Sequence, residues 1–243
     1  CYHGVTTVAA GNCGFSIAPT RADDREFITR IFARVEDMSP RSLQGIPWGF
    51  ESFPEYLDTL RGKIGINAAS YIGHCNIRRW VMGEHAYERG ATDEEIVQMR
   101  DMLRKAMEAG AAGLSSTHAP THLDTLGRPV PSRLSSKEEL ASLVAEVGRY
   151  NAGSISYLPH SAIGGLDEED GDFLIRLALE SRLPVIIQGL GARSKVDAPT
   201  ATWELSEIYL EKAREQGAGV YSLLMAAPFN RRFSLAEGTS LYE

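Results

Sequence analysis

Cysteine is scarce in this chain. Only Cys1, Cys13 and Cys75 occur among 243 residues, with no CxxC pair, which excludes a disulfide framework and points to a reducing, cytoplasmic compartment. Positive charge is also short: 25 Lys and Arg face 32 Asp and Glu, a net charge of -7. A phosphate-backbone binder concentrates basic residues on one face, so nucleic acid is not an expected partner. No apolar run approaches the ~20 residues that span a bilayer, so no membrane partner is expected either. Neither GxGxxG nor GxxxxGK[ST] follows an apolar run, which counts against a nucleotide-binding sheet. The first residue is Cys rather than Met and no signal-like segment follows it, so the chain reads as an internal fragment.

What is present is a globular composition, 43% hydrophobic and 23% charged, in a length that suits most of an α/β barrel. "VTTVAAG", "KIGINAASYIGH", "AAGLSST", "GSISYL", "PVIIQGL" and "AGVYSLLMA" read as strands, the second of them ending at His74. Between them lie helical patterns. "FPEYLDTL", "TDEEIVQMRDMLRKAMEAG", "SSKEELASLVAEVGRY", "DEEDGDFLIRLALESR" and "TWELSEIYLEKAREQG" carry apolar residues at helical spacing, and Arg21 to Pro47 reads as one helical segment plus loop. Thr92 with Glu95, and Ser136 with Glu139, form capping pairs. About six strands alternating with helices predict a parallel α/β sheet. An open doubly wound sheet and a barrel both satisfy that pattern; its regular spacing favours a (β/α) barrel lacking about two units.

In such a barrel the chemistry sits just after each strand. Those positions hold Asn12 and Cys13; His74 and Cys75; Ser115, Ser116, Thr117 and His118; Tyr157 and His160; Gln188; and Met225. Imidazole and thiolate are the usual zinc ligands, so the set is compatible with a metal site. Each residue has a plainer reading. Cys13 is either a thiolate on zinc or a small residue in a glycine turn. His74 either meets substrate or pairs within the fold. His118 and His122 are four apart, but Pro120 stands between them, so an active-site loop is expected there rather than a zinc helix. His160 is either a metal ligand or a loop residue after Pro159. Ser116 lacks a GxSxG elbow and reads as polar pocket lining. Arg231, with Arg232 beside it, could hold a substrate carboxylate or simply be solvated.

The stretches "HGVTTVAAGNCGFSIAP", "IGHCNIRRWVMGEHAYERGATDEEIVQM" and "AGAAGLSST" resemble the N-acyl-D-amino-acid deacylases (D-aminoacylases) of the amidohydrolase superfamily. "THLDTLGRPVPSR" resembles their N-acyl-D-aspartate and D-glutamate deacylase-like branch. The resemblance implies a partial (β/α)8 TIM barrel of the metal-dependent hydrolase type, about six of its eight units spanning residues 1–243. The first strand, the last strands and a small β domain would lie outside the fragment. It also implies one or two zinc ions, held by an HxH pair that would precede Cys1, by the cysteine of the "GNCG" turn, and by histidines after the fifth and sixth strands. A proton-transferring aspartate would follow Glu243. Cys13 matches that pattern residue for residue, whereas Leu158 and the Gln188–Gly189 pair stand at the other two ligand positions, with His160 two residues beyond the first of them. Two strand positions displace a side chain by ~6–7 Å.

The expected activity is hydrolysis of an N-acyl-D-amino acid or related amide by metal-activated water, with Cys13 and His160 toward the metal. His74, Ser116, His118, His122 and Arg231 would stand toward a small-molecule amide substrate. The alternative is a barrel protein with a degenerate metal site that binds a small ligand without amide hydrolysis. The fragment alone is expected to be inactive, and homo-oligomerisation is left open.

Overall fold

The computed structural model describes residues 4–36, 38–188 and 202–224. Seven strand segments run in chain order: β1 (Thr7–Ala10), β2 (Asn67–Ser70), β3 (Ile72–Gly73), β4 (Gly113–Thr117), β5 (Ser154–Leu158), β6 (Val185–Gln188) and β7 (Val220–Leu223). β2 and β3 flank the single residue Tyr71 and act as one interrupted strand. Tyr71 N–H reaches Ala10 O at 2.9 Å on one side, and Ala112 N–H reaches Ser70 O at 2.8 Å on the other. Every pairing is parallel and joins neighbours in sequence: β1 with β2, then β3 through β7 in order. The six strands expected from hydrophobic pattern are therefore present as a parallel α/β fold.

Helices α1 (Arg25–Val35), α2 (Pro40–Gln44) and α3 (Phe53–Leu60) connect β1 to β2. Helices α4 (His74–Met82) and α5 (Asp93–Glu108) lie between β3 and β4, while α6 (Lys137–Gly148), α7 (Glu168–Ser181) and α8 (Thr202–Glu215) precede β5, β6 and β7 respectively. α4 departs from the sequence expectation. His74 does not end a strand: the strand stops at Gly73, and His74 opens a helix whose first five residues are all buried.

Alternation of side chains along a strand explains the two faces. Leu114, Ile155, Tyr157, Val185 and Ile187 point toward the helices, where they join Met99, Leu103, Leu140, Leu143, Val144 and Phe173 in the main core. The opposite face carries Ser115, Thr117, Ser156, Leu158 and Gln188, in a register that sets Ser115 beside Ser156 and Thr117 beside Leu158. That face is concave. β1 and β6 are four strand spacings apart, about 19 Å on a flat sheet, yet Cys13 Sγ lies 2.8 Å from Gln188 Oε1. Only a strongly curled sheet brings the two tips together. Among the described residues the sheet does not close, since β1 and β7 are not hydrogen-bonded to each other.

Candidate functional site

The GNCG turn begins where β1 ends. Gly11, Cys13 and Gly14 all have positive φ, +86°, +57° and +81°, so the turn needs glycine on either side of a thiol that itself adopts the left-handed conformation. Space imposes the same choice: a Cβ at Gly11 would lie 2.7 Å from Tyr71 O, and one at Gly14 would lie 3.2 Å from Ser116 Cα. The turn is pinned from both sides. Gly14 N–H donates to Ser115 Oγ (3.1 Å) on β4, and Gly14 O accepts from Cys75 N–H (3.1 Å) on α4. Asn76 extends the clamp by accepting from Ser16 N–H and donating to Ser16 O and Pro19 O.

So anchored, the turn borders a cavity of about 610 Å³ whose lining includes Asn12, Cys13, Phe15, Glu36, Tyr56 and Gln188. One hydrogen-bonded chain crosses its floor. Cys13 Sγ donates to Gln188 Oε1 (2.8 Å), Gln188 Nε2 donates to Ser156 Oγ (3.0 Å), and Ser156 Oγ donates to Asn12 Oδ1 (3.0 Å). Cys13 also packs against Leu158 and Ala119. Burial, with Glu36 and Cys75 adding to it, pushes the Cys13 thiol up from 9.0 to about 12, so it stays protonated near neutral pH. A reactive cysteine needs the opposite shift.

The described residues do not by themselves make a zinc centre. Among the described residues no three His, Cys, Asp or Glu side chains are grouped as a metal would require. At the cavity floor Cys13 meets an amide and hydrocarbon instead of imidazole. His160 is exposed on the loop after β5 and has no hydrogen-bond partner among the described residues.

The remaining sequence candidates are distributed elsewhere. Ser116 and His74 are fully buried, and Glu139 is 2% exposed. His74 Nδ1 lies 2.9 Å from Ser116 Oγ, and its Nε2 lies 2.9 Å from Glu139 Oε1. The carboxylate must accept, so Nε2 carries the hydrogen and Nδ1 accepts from the serine hydroxyl. The grouping has the order of a Ser-His-acid triad, but it faces the helix layer rather than the cavity. Arg78, also fully buried, donates from Nη1 to both carboxylate oxygens of Glu139, at 2.6 and 2.5 Å, and from Nη2 to Arg89 O at 2.8 Å. Burial raises the Glu139 pKa, but the hydrogen bond from His74 and the Arg78 charge overcome it and hold the carboxyl at about 2. Burial lowers the His74 pKa against the pull of Glu139, so the imidazole stays neutral.

His118 sits between Tyr157 Oη (2.6 Å) and Ser135 Oγ (2.9 Å). Ser135 donates its own hydrogen to Ser132 O, which leaves His118 Nε2 as donor and Nδ1 as acceptor from tyrosine. His122 Nδ1 meets Thr117 Oγ1 at 2.9 Å, and its ring lies 5.2 Å from Phe15. Burial lowers both pKa values to about 4, with Arg133 adding to the second. Arg231, Arg232, Gly189 and Met225 lie outside the described residues. Sequence reading missed Glu36 as part of the cavity lining and Ser156 as the link between Gln188 and Asn12. The alternation in "GSISYL" carried a signal for Ser156, since Ile155 and Tyr157 must share the core face and turn Ser156 the other way.

No family model matches the chain. A curated D-aminoacylase of Alcaligenes xylosoxydans xylosoxydans is 41% identical over 116 residues, which are 46% of this chain and 21% of that protein. The chain resembles the D-aminoacylases. A crystal structure of D-aminoacylase, described as defining a novel subset of amidohydrolases, superposes with a TM-score of 0.64 at 26% identity and covers 90% of this chain and 41% of its own. N-acyl-D-glutamate deacylase from Bordetella bronchiseptica, complexed with zinc and a phosphonate mimic of the tetrahedral intermediate, shares the fold at a TM-score of 0.63 and 22% identity, covering 90% of this chain and 41% of its own. This D-aminoacylase-like chain thus spans about a fifth of the curated relative and about two-fifths of the solved structures. Among the described residues no helix is long and apolar enough to cross a membrane.

Proposed function

We propose that the full-length protein is an amidohydrolase that cleaves the C–N bond of an N-acyl-D-amino acid or a related amide, with the cavity beside Cys13 as the place where the amide is received. The observation that carries this reading is the position of the GNCG turn, at the C-terminal tips of parallel strands and over a cavity, in a chain 41% identical to a D-aminoacylase over 116 residues. Water is the nucleophile in this reading. Cys13 is held as a neutral thiol, and Ser116 is sealed behind the sheet with no exposed surface. Metal dependence enters through the likeness to a zinc-bound deacylase. Among the described residues no His, Cys, Asp or Glu side chains are grouped to hold a cation.

A second reading, ligand binding without hydrolysis, is favoured by one observation: Gln188 and Leu158, rather than imidazoles, meet Cys13. Amine release by the full-length protein from a panel of N-acetyl-D- and N-acetyl-L-amino acids separates the two. Release from D-isomers supports the hydrolase, whereas saturable binding of the same amides without amine release supports the second reading.

A further inference from the structure

We propose that the outer surface of α3, α4 and α5 is a docking groove for an acidic segment of a partner protein, with Arg21 receiving a carboxylate and the hollows on either side of Trp80 receiving the segment's apolar side chains. The groove lies on the helix layer and not on the concave face, so the inference goes beyond the amidohydrolase reading and does not rest on it.

Two hollows of about 500 Å³ each share Trp80 and Met102 as a common wall. Phe53 and Pro54, at the start of α3, line one of them, whereas Arg21 and Val97 line the other. Together they follow α5 from Val97 to Glu108. At ~1.5 Å per helical residue that is ~16 Å, the reach of about five extended residues at ~3.3 Å each. One segment of that length can place a side chain in each hollow. Tryptophan and arginine are the residue types that dominate binding energy at such surfaces, and methionine adapts its shape to different anchors. Val97 is 62% exposed, so this hollow is open to a partner among the described residues.

Charge decides what the groove accepts. The exposed Arg21 places its guanidinium 4.7 Å over the Trp80 ring and forms no ion pair with a described residue. Stacking on the indole holds the planar fork while its N–H donors stay free of protein acceptors, the state in which a guanidinium takes a carboxylate bidentately. Glu51 meets the same loop but sets Oε1 on Ala22 N–H, at 2.8 Å. Asp101, the acid in Arg21's own hollow, is neutralised by Lys105 at 2.7 Å and Arg104 at 3.2 Å. The other hollow carries Glu108, which forms no ion pair with a described residue and would repel a second acid. The segment that fits is therefore acidic where it meets Arg21 and apolar where it meets Phe53.

Fluorescence anisotropy of the full-length protein with fluorescein-labelled pentapeptide amides tests the proposal. One set joins Glu-Asp to Leu, Met or Phe residues in either chain direction; a matched set carries Lys-Lys in place of the acids. Saturable binding of acidic peptides, weakening as salt is raised, is expected. Arg21→Gln should weaken it about tenfold by removing a charge-assisted pair. Val97→Asp, which sets a like charge in the same hollow, should weaken it to a similar extent. Both positions are exposed, so neither variant is expected to lose its fold, and thermal unfolding followed by circular dichroism checks this. Absence of saturable binding across the acidic set, equal affinity for the lysine set, or wild-type affinity in either folded variant overturns the proposal. Binding of octanoate with no peptide bound overturns it too, and assigns the groove to a small amphiphilic acid.

Discussion

Two clusters of candidate residues occupy opposite faces of the same strands. On the concave face Cys13, Gln188, Ser156 and Asn12 form a neutral chain beside an open cavity. On the helix face Ser116, His74, Glu139 and Arg78 form a charged network with essentially no exposed surface. By residue type the helix-face cluster resembles a catalytic one, since it has a hydroxyl, an imidazole and a carboxylate in hydrogen-bonded order. By position it is a structural joint that ties α4 and α6 to β4. A constellation acquires chemistry only from the space in front of it, and here the plainer cluster has that space.

The largest effect is expected from breaking the sealed network. Glu139→Leu leaves the Arg78 guanidinium buried without its carboxylate, a change worth about 3–5 kcal/mol of stability, whereas replacing Arg78 and Glu139 together by apolar residues should recover much of the loss. Urea unfolding measures both. An acid-side signature accompanies it. The folded-state pKa of Glu139 is lowered from 4.5 to about 2, so the unfolded chain takes up this proton first, and the stabilisation present above about pH 4.5 drains away as pH falls toward 2. Unfolding free energies measured between pH 7 and pH 3 should fall less steeply in Glu139→Gln than in wild type. An equal slope would mean that Glu139 is solvated rather than sealed.

Ser116→Ala sharpens the comparison at intermediate cost. It strips the donor from His74 Nδ1 and leaves a buried acceptor unsatisfied, a loss of about 1–3 kcal/mol. A nucleophile's removal would abolish the proposed turnover, but a structural hydroxyl's removal should lower the unfolding midpoint and leave kcat/KM of the folded full-length protein unchanged. Loss of turnover with stability intact would move the chemistry to the helix face.

Much of the fold was legible because its signals are local. Hydrophobic runs of four to eight residues alternating with amphipathic stretches locate β4, β5, β6 and the helices α5, α6 and α7 to within about two residues at their described ends, since both periodicities are imposed by the backbone. α4 was illegible for the opposite reason. "HCNIRRWVM" buries its polar residues His74, Asn76 and Arg78 instead of turning them to water, and the partners that satisfy Asn76 and Arg78, Ser16 and Glu139, lie 60 and 61 residues away. The site divides the same way. Cys13 could be found from its glycine turn, but its meeting with Gln188 spans 175 residues and depends on sheet curvature, which no local pattern encodes.

The smallest expected effects compare two helix starts with the same motif. Thr92 and Ser136 both accept from the backbone N–H three residues on, at Glu95 and Glu139. In α5 the Glu95 side chain returns to Thr92 N–H at 2.8 Å and closes the box. In α6 the box stays half open, because Glu139 turns inward to His74 and Arg78. Thr92→Ala and Ser136→Ala should therefore cost about the same, ~1 kcal/mol each, as each removes one cap acceptor. The glutamates should diverge. Glu95→Gln keeps the reciprocal bond and loses only its pairing with the water-facing Arg89, a small loss because solvent and salt screen such a pair, whereas Glu139→Gln weakens a buried charge pair and should cost several times more. Equal costs for the two glutamates would mean that α6 is capped like α5 in solution, and that the inward turn of Glu139 is not what holds Arg78.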